Sequence, residues 1–372
     1  MVAEIQFQFM VEKRTDSGED AEPILFSTDT SIFTGVFDGM GGSGASLCTS
    51  EYGSNHTKAY VASRIIREAV NDYINKHPEK INPEDLKQVC DTRLQKEITK
   101  FPSVETKLRS KLIRNYPTTL TLAVAKEEKG NIIVDSYWAG DSRNYLWKKD
   151  GFYQITQDDL VNNYDALENL SRDSALSNCV CADNDFNINH RKIEFSKQPF
   201  VIFSATDGCF GYLPTPMHFE HLIESTLFNS DNLNSWKEIL QNKIREVSGD
   251  DFSIALIAKG FKDFKDLKEI LGKEKNHHIE PILTLERRID DTRQELSELE
   301  IKLKETINSG WESYQTTYCK YINSPVDGGS KSGPTSRLYG CLCRMDSVLR
   351  HCWNSATKWF RLISKKHGSI KK

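Results

Sequence analysis

No run of about 18 apolar residues occurs in the 372-residue chain, so a membrane-spanning helix is not expected. The opening residues MVAEIQFQFMVEKR alternate like a strand and lack a basic leader and a small-residue cleavage site, which points to the cytoplasm rather than to export. The nine cysteines are odd in number and scattered, which suits a reducing compartment and argues against a disulfide framework. Cys341, Cys343, His351 and Cys352 fit no standard zinc spacing. A basic surplus is also missing. Charged residues make up 27% with a formal net charge of -4, so no nucleic-acid partner is expected. From Lys331 onward, however, ten basic residues stand against one acidic residue, so an acidic body carries a basic tail.

The stretch FTGVFDGMGGSG (33–44) dominates what is present. Ile32, Phe33, Val36 and Phe37 are strand formers too apolar for a surface, and they stop at Asp38 and a glycine cluster. Asp-Gly is a common hairpin turn pair. Gly39, Gly41 and Gly42 would equally permit positive φ and the close backbone approach that a metal or phosphate site needs. Further carboxylates mark predicted strand ends: Glu19 and Asp20, Asp141, Asp207, and Asp250 with Asp251. A single one reads as a turn former. Together, without clustered histidines, they point to oxygen ligation of a hard cation such as Mg2+ or Mn2+, because clustered carboxylates repel one another unless a cation lies among them.

Around these residues the pattern predicts strands at 6–11, 32–37, 118–126, 131–139, 142–148, 152–156, 187–195, 199–206 and 252–259. The short links between 118 and 156 imply one antiparallel meander. Residues 43–53 read as a loop, with Ser54 or Asn55 capping a helix that ends near His77 and Pro78. Further helices are expected at 83–101, begun by the Asn82 cap and Pro83, and at 104–115, 160–169, 216–228 and 233–247. Helices and antiparallel strands in blocks make an α+β layered domain over 1–260. Residues 261–325 form a charged helical extension in which Ile282, Leu285, Ile289, Thr292, Leu296, Leu299, Leu303 and Thr306 step alternately by three and four. This is the spacing of a coiled coil, open to self-association or a protein partner, and equally of an amphipathic helix folded back on the body. The break 327–334 leads to the basic tail 326–372. There Trp353, Trp359, Phe360 and Leu362 among Arg and Lys suit an anionic membrane surface, although a solvated terminus is the plainer reading.

The segments VFDGMGG (36–42), PTTLTLAV (117–124), WAGDSRNYLW (138–147), LSNCVC (176–181), FSATDG (203–208) and GDDFSIALIA (249–258) resemble, in order and spacing, the motifs of the metal-dependent type 2C serine/threonine protein phosphatases. The resemblance covers residues 1–260. It implies an α-β-β-α sandwich of two antiparallel sheets, with a binuclear Mg2+ or Mn2+ centre that activates water for in-line attack on a phosphoserine or phosphothreonine of a protein substrate. In that reading Asp38 bridges two metals and the Gly39 carbonyl binds one of them. Asp207 and Asp250 hold the first metal, Glu19 or Asp20 holds the second, and Asp141 belongs with Asp207 to a third, weaker site. Arg14 corresponds to a phosphate-binding arginine, with a longer gap than usual before Glu19.

Three features depart from the family pattern. Met40 stands where many members have a histidine proposed as general acid, Asp251 replaces a common asparagine, and the 43–53 loop is long. No cysteine begins a Cys-x5-Arg loop, as a cysteine phosphatase would require. Residues 176–186 correspond to a flap over the site. A catalytically silent phosphatase-like binding module and a phosphatase of a small metabolite are the rival readings.

Overall fold

Alternation in the first residues becomes strand β1 (Ile5–Val11), whose Ile5, Phe7, Phe9 and Val11 are buried. The computed structural model describes residues 5–15, 17–49, 53–101, 114–162, 165–171, 174–271 and 278–322. They fall into two units, Met1–Arg287 and Arg288–Lys372.

In chain order, β1 is followed by β2 (Ile24–Ser27), β3 (Ser31–Val36), a single turn α1 (Gly41–Gly44), β4 (Leu47–Thr49), β5 (Asn55–Thr57), α2 (Lys58–Lys76) and α3 (Pro83–Glu97). Then come β6 (Leu120–Glu128), β7 (Asn131–Ala139), β8 (Arg143–Lys148), β9 (Gly151–Gln154), α4 (Ala166–Ser171), β10 (Asn189–Ser196) and β11 (Phe200–Ala205). The helices α5 (Pro216–Phe228) and α6 (Leu233–Val247) precede β12 (Phe252–Lys259), and α7 (Phe264–Leu271) and α8 (Glu280–Tyr318) follow it.

Two five-stranded antiparallel sheets form, ordered β1-β12-β11-β8-β9 and β10-β7-β6-β3-β2. Ile32, Ala123, Val134, Leu146, Ile202 and Ile257 fill the space between them. A polar thread also crosses this layer. Thr34 Oγ1 meets Ser204 Oγ at 2.9 Å, Ser204 Oγ donates to Asn144 Oδ1 at 2.6 Å, and Asn144 Nδ2 donates to Ser136 Oγ at 2.7 Å. These buried polar atoms are paired, so they fix the register of one sheet on the other without an unmet desolvation cost. Val61, Ile66 and Val70 of α2, with Leu86 and Leu94 of α3, cover the outer face of the second sheet. Phe219 and Ile223 of α5, Trp236 and Leu240 of α6, and Leu267 of α7 cover the first. The α-β-β-α sandwich expected from the motifs is the fold observed.

Four local expectations change. The meander is broken, because β7 and β8 lie in different sheets and the chain crosses between them at Gly140-Asp141. Gly140 has φ +113°, and a Cβ there would press on Thr119, so glycine alone suits this crossover. Within the expected loop 43–53, β4 pairs with β5, which consumes Asn55, and the α2 cap is Thr57, whose hydroxyl accepts from Tyr60 N. The strand β2 arises at Ile24–Ser27, where the sequence pattern predicts none. The helix expected at 160–169 is the shorter α4. The Asn82 cap holds, accepting from Glu84 N and Asp85 N. Residues 104–113 of the helix expected at 104–115, the glycine-rich break, the basic tail and its Cys/His group lie outside the described residues.

Candidate functional site

One end of the sandwich collects the strand-end carboxylates. Asp38 follows β3 in the second sheet and Asp207 follows β11 in the first, and the two carboxyls face each other across the sheets closely enough to perturb one another. Asp141 occupies the crossover between sheets and Asp250 precedes β12. Asp20 lies in the segment before β2, which is tied to the end of β3 by Ala21 N donating to Phe37 O at 2.9 Å.

The electrostatics are those of crowding. Burial, then Asp207, Asp20 and Asp141, hold the Asp38 carboxyl well above the ordinary carboxylate range. Asp141 is raised by burial and by Asp207. Asp207 is raised by burial, moderated by the adjacent Asp38 carboxyl and reinforced by Asp250. Asp20, 1% exposed, is pushed up to about 8 by burial, even though Ser253 Oγ and Thr206 Oγ1 donate to it at 2.7 and 3.0 Å. Glu19 is raised by burial and by Asp251 and Asp250, while the Thr57 hydroxyl, donating at 2.5 Å, opposes the shift. Asp38 and Asp207 therefore crowd one another in a buried place, the setting in which a carboxylate favours a cation beside it.

The structure gives Glu19 and Asp20 different surroundings. Asp20 turns inward onto β12 and the end of β11. Glu19 lies against the glycine turn, where a Cβ on Gly41 would overlap its carboxylate. At Gly39 a Cβ would come within 2.5 Å of Glu19 O. None of Gly39, Gly41 and Gly42 has positive φ, so the first two are required for space and not for backbone conformation. Arg14 is exposed in a turn, its carbonyl accepting from Ser17 N at 3.1 Å and Ser17 Oγ at 3.0 Å.

Among the described residues no three His, Cys, Asp or Glu side chains stand in a ready-made coordinating arrangement. The donor chemistry nevertheless fits a hard divalent cation. All the side-chain donors are oxygen, they are buried and repel one another, and the glycine turn leaves room around Glu19.

Several residues that serve the site carry no strand-end signal. Thr119 N donates to Asp38 O at 2.8 Å and Thr119 Oγ1 accepts from Asp38 N at 3.1 Å. The same hydroxyl meets Ser142 Oγ at 2.8 Å, linking the Asp38 and Asp141 loops. Thr118 Oγ1 donates to Asp38 O at 2.7 Å, and the Thr118 backbone pairs with Val180 at 2.9 and 3.0 Å, which stitches the flap segment to the site. Their signal was polarity inside an apolar strand, in the quoted PTTLTLAV. Asp251 accepts from Lys13 N at 2.7 Å and Glu19 N at 2.6 Å, holding the segment that carries Glu19 and Asp20. An aspartate presents two acceptors to these two amides.

Arg143 forms a bidentate pair with Asp158, Nε to Oδ1 at 2.9 Å and Nη2 to Oδ2 at 2.6 Å, with the two residues 2% and 6% exposed. Burial opposes the arginine charge, but Tyr145 and Asp158 outweigh it and hold the guanidinium protonated. A cavity of about 450 Å³ opens here, walled by Asp141, Arg143, Asp158, Asp207, Phe210 and Tyr212. It lies directly beside the carboxylates and is large enough for a phosphorylated side chain.

Residues 14–246 match the family described as Protein phosphatase 2C. Similar solved structures include a bacterial serine phosphatase (15% identity, 69% of this chain and 98% of that chain, TM-score 0.48) and the serine/threonine phosphatase Stp1 from Staphylococcus aureus (15%, 69% and 96%, 0.48). Another is the Mycobacterium tuberculosis serine/threonine phosphatase PstP/Ppp (14%, 68% and 97%, 0.44). No curated protein sequence matches the chain. Because the family match spans more than half of its 372 residues and falls on the sandwich that carries the carboxylates, this chain belongs to the protein phosphatase 2C family.

Proposed function

We propose that this chain hydrolyses phosphoserine and phosphothreonine in proteins, using two Mg2+ or Mn2+ ions held at the carboxylate end of the sandwich. The observation that carries the reading is the buried cluster of strand-end carboxylates from opposite sheets, Asp38 and Asp207 with Asp20 and Asp141, each raised by burial and by acidic neighbours. A cation among them would relieve the repulsion. Asp38 would lie between the two ions with the Gly39 carbonyl beside it. Asp207 and Asp250 would complete one site, Glu19 would face the other, and Asp141 would serve a weaker third. When bound, such a pair supplies a nucleophilic oxygen at neutral pH and neutralises phosphoryl charge.

The protein's own contribution is positioning. Thr118 and Thr119 clamp the Asp38 backbone, Asp251 fixes the Glu19 segment, and the cavity beside Asp141 and Asp207 receives the phosphorylated side chain. Arg14 sits on an exposed turn from which its guanidinium can meet an incoming phosphate. Residues 176–186 border the site and would select among phosphopeptides.

The test is phosphate release from a phosphopeptide panel and from a simple aryl phosphate, in chelator and after adding back Mn2+ or Mg2+. Activity on phosphopeptides is expected to vanish in chelator and return with either metal. Full activity without divalent metal, or turnover of the aryl phosphate alone, would overturn the reading.

A further inference from the structure

The 39-residue helix α8 leaves an apolar row in solvent: Ile289 is 50% exposed, Leu296 56%, Leu299 63% and Leu303 53%. These residues recur at the three-and-four spacing of a coiled-coil seam, with Thr292 and Thr306 at the interposed positions. A polar residue in a seam normally weakens it. Here each threonine hydroxyl donates back to the carbonyl four residues earlier, Thr292 to Arg288 O at 2.7 Å and Thr306 to Lys302 O at 2.8 Å, so it needs no partner from another helix.

The residues flanking the seam decide what can cover it. With Ile289, Leu296 and Leu303 at the a positions, Arg288, Glu295 and Lys302 stand at g, and Arg293 and Glu300 at e. In a parallel, in-register pair each g residue meets the e residue five positions on, which sets Arg288 against Arg293 and Glu295 against Glu300. Both contacts join like charges. In an antiparallel pair e meets e and g meets g. When Ile289 of one copy lies opposite Leu299 of the other, Arg293 comes beside Glu300 and Arg288 beside Glu295. Each of these opposite-charge contacts is made twice by two-fold symmetry. Arg293 holds Asp290 at 3.2 Å, but both side chains are about three-quarters exposed, so that pair is weak and readily exchanged.

We infer that the α8 face bearing Ile289, Leu296, Leu299 and Leu303 pairs with the same face of a second copy of this chain, the two helices running antiparallel. The charge row then gives the face a self-complementary partner.

Sedimentation of the full chain over a concentration series tests this. A monomer–dimer equilibrium is expected, abolished by Leu296→Glu/Leu299→Glu with the helical circular dichroism retained. Arg293→Glu places Glu beside Glu300 in the antiparallel pair and should raise the dimer dissociation constant about tenfold. Arg293→Glu/Glu300→Arg restores opposite charges and should recover the wild-type value. In a parallel pair Arg293→Glu would instead face Arg288 and tighten the dimer. A wild-type chain that stays monomeric throughout, or a dimer that Arg293→Glu strengthens, overturns the inference. Turnover of an aryl phosphate is read in parallel and decides nothing about it, so failure of the dimer and failure of the phosphatase reading remain separate.

Discussion

Two groups of buried charge lie side by side at one end of the sandwich and are handled in opposite ways. Arg143 and Asp158 satisfy each other through two short hydrogen bonds, and both are almost fully withdrawn from water. Asp38, Asp207 and Asp141 crowd one another, Asp20 is met by two hydroxyls, and each carboxyl is displaced upward by burial and by acidic neighbours. The first group is a finished structure. The second is left in mutual repulsion, and the fold carries that cost because the rest of the sandwich over-determines the positions.

Breaking the finished group should have the largest effect on stability. Asp158→Asn leaves the buried Arg143 without a carboxylate, and about 3 kcal/mol of unfolding free energy should be lost in a denaturant titration. Replacing both partners together, Arg143→Met with Asp158→Leu, should recover most of that loss. If the single and double variants are equally unstable, the pair is held by more than its own charge.

The crowded group should respond in the reverse sense. Asp38→Asn removes one repelling carboxyl and keeps its size, so the metal-free melting temperature should stay level or rise, while metal-dependent turnover falls at least about a hundredfold. Added Mn2+ should raise the wild-type melting temperature by linkage and move the variant much less. A variant that turns over like wild type removes Asp38 from the chemistry.

Asp251 connects the two behaviours, because it is a charge partnered only by backbone amides. Asp251→Ala should cost about 2 kcal/mol through the loss of two charge-assisted bonds and should lower turnover by releasing Glu19, whereas Asp251→Asn keeps one acceptor and should lose less on both counts. Equal losses for the two variants would mean that the segment is held elsewhere.

The smallest effect lies away from the site. Burial and the neighbouring Glu220 push Glu224 on α5 from 4.5 up to about 7. The folded state therefore binds a proton that the unfolded chain has released, so this contribution to stability falls as pH rises from about 4.5 to 7 and is fully lost above. Glu224→Gln should raise the melting temperature at pH 8 by about one or two degrees and leave it nearly unchanged at acid pH. A rise of the same size at both ends would assign the effect to packing.

Most of the sandwich was legible in the chain because its signals are local. The runs TTLTLAVAK, NIIVDSYWA and FSIALIAK are apolar over a strand's length, and Asn82, Pro83 and Thr215 begin helices as their chemistry suggests. The break of the meander was not legible, because the links on both sides of Gly140 are equally short and only the packing of two sheets sends β8 to the other layer. The carboxylates could be listed from strand ends, but their grouping depends on strands far apart in sequence. The distinction between Glu19 and Asp20 rests on what surrounds each of them, the glycine turn for one and the Ser253 and Thr206 hydroxyls for the other. Arg143 and Asp158 were missed because a buried ion pair carries no sequence periodicity.

The pairing of β1 with β12, from Ile5 opposite Ala258 to Val11 opposite Phe252, has a consequence in time. On the ribosome β1 is made first, yet its neighbour in the sheet is the last strand of the sandwich, and Asp250 and Asp251 arrive just ahead of that strand. A nascent chain halted anywhere before it holds Asp20 and Asp38 with neither the strand that seats them nor the amide clamp on Glu19. Such a pairing between the extremes of a domain forms late and after long loop closure. The carboxylate cluster at this end of the sandwich is thereby completed only once its last strand has been made.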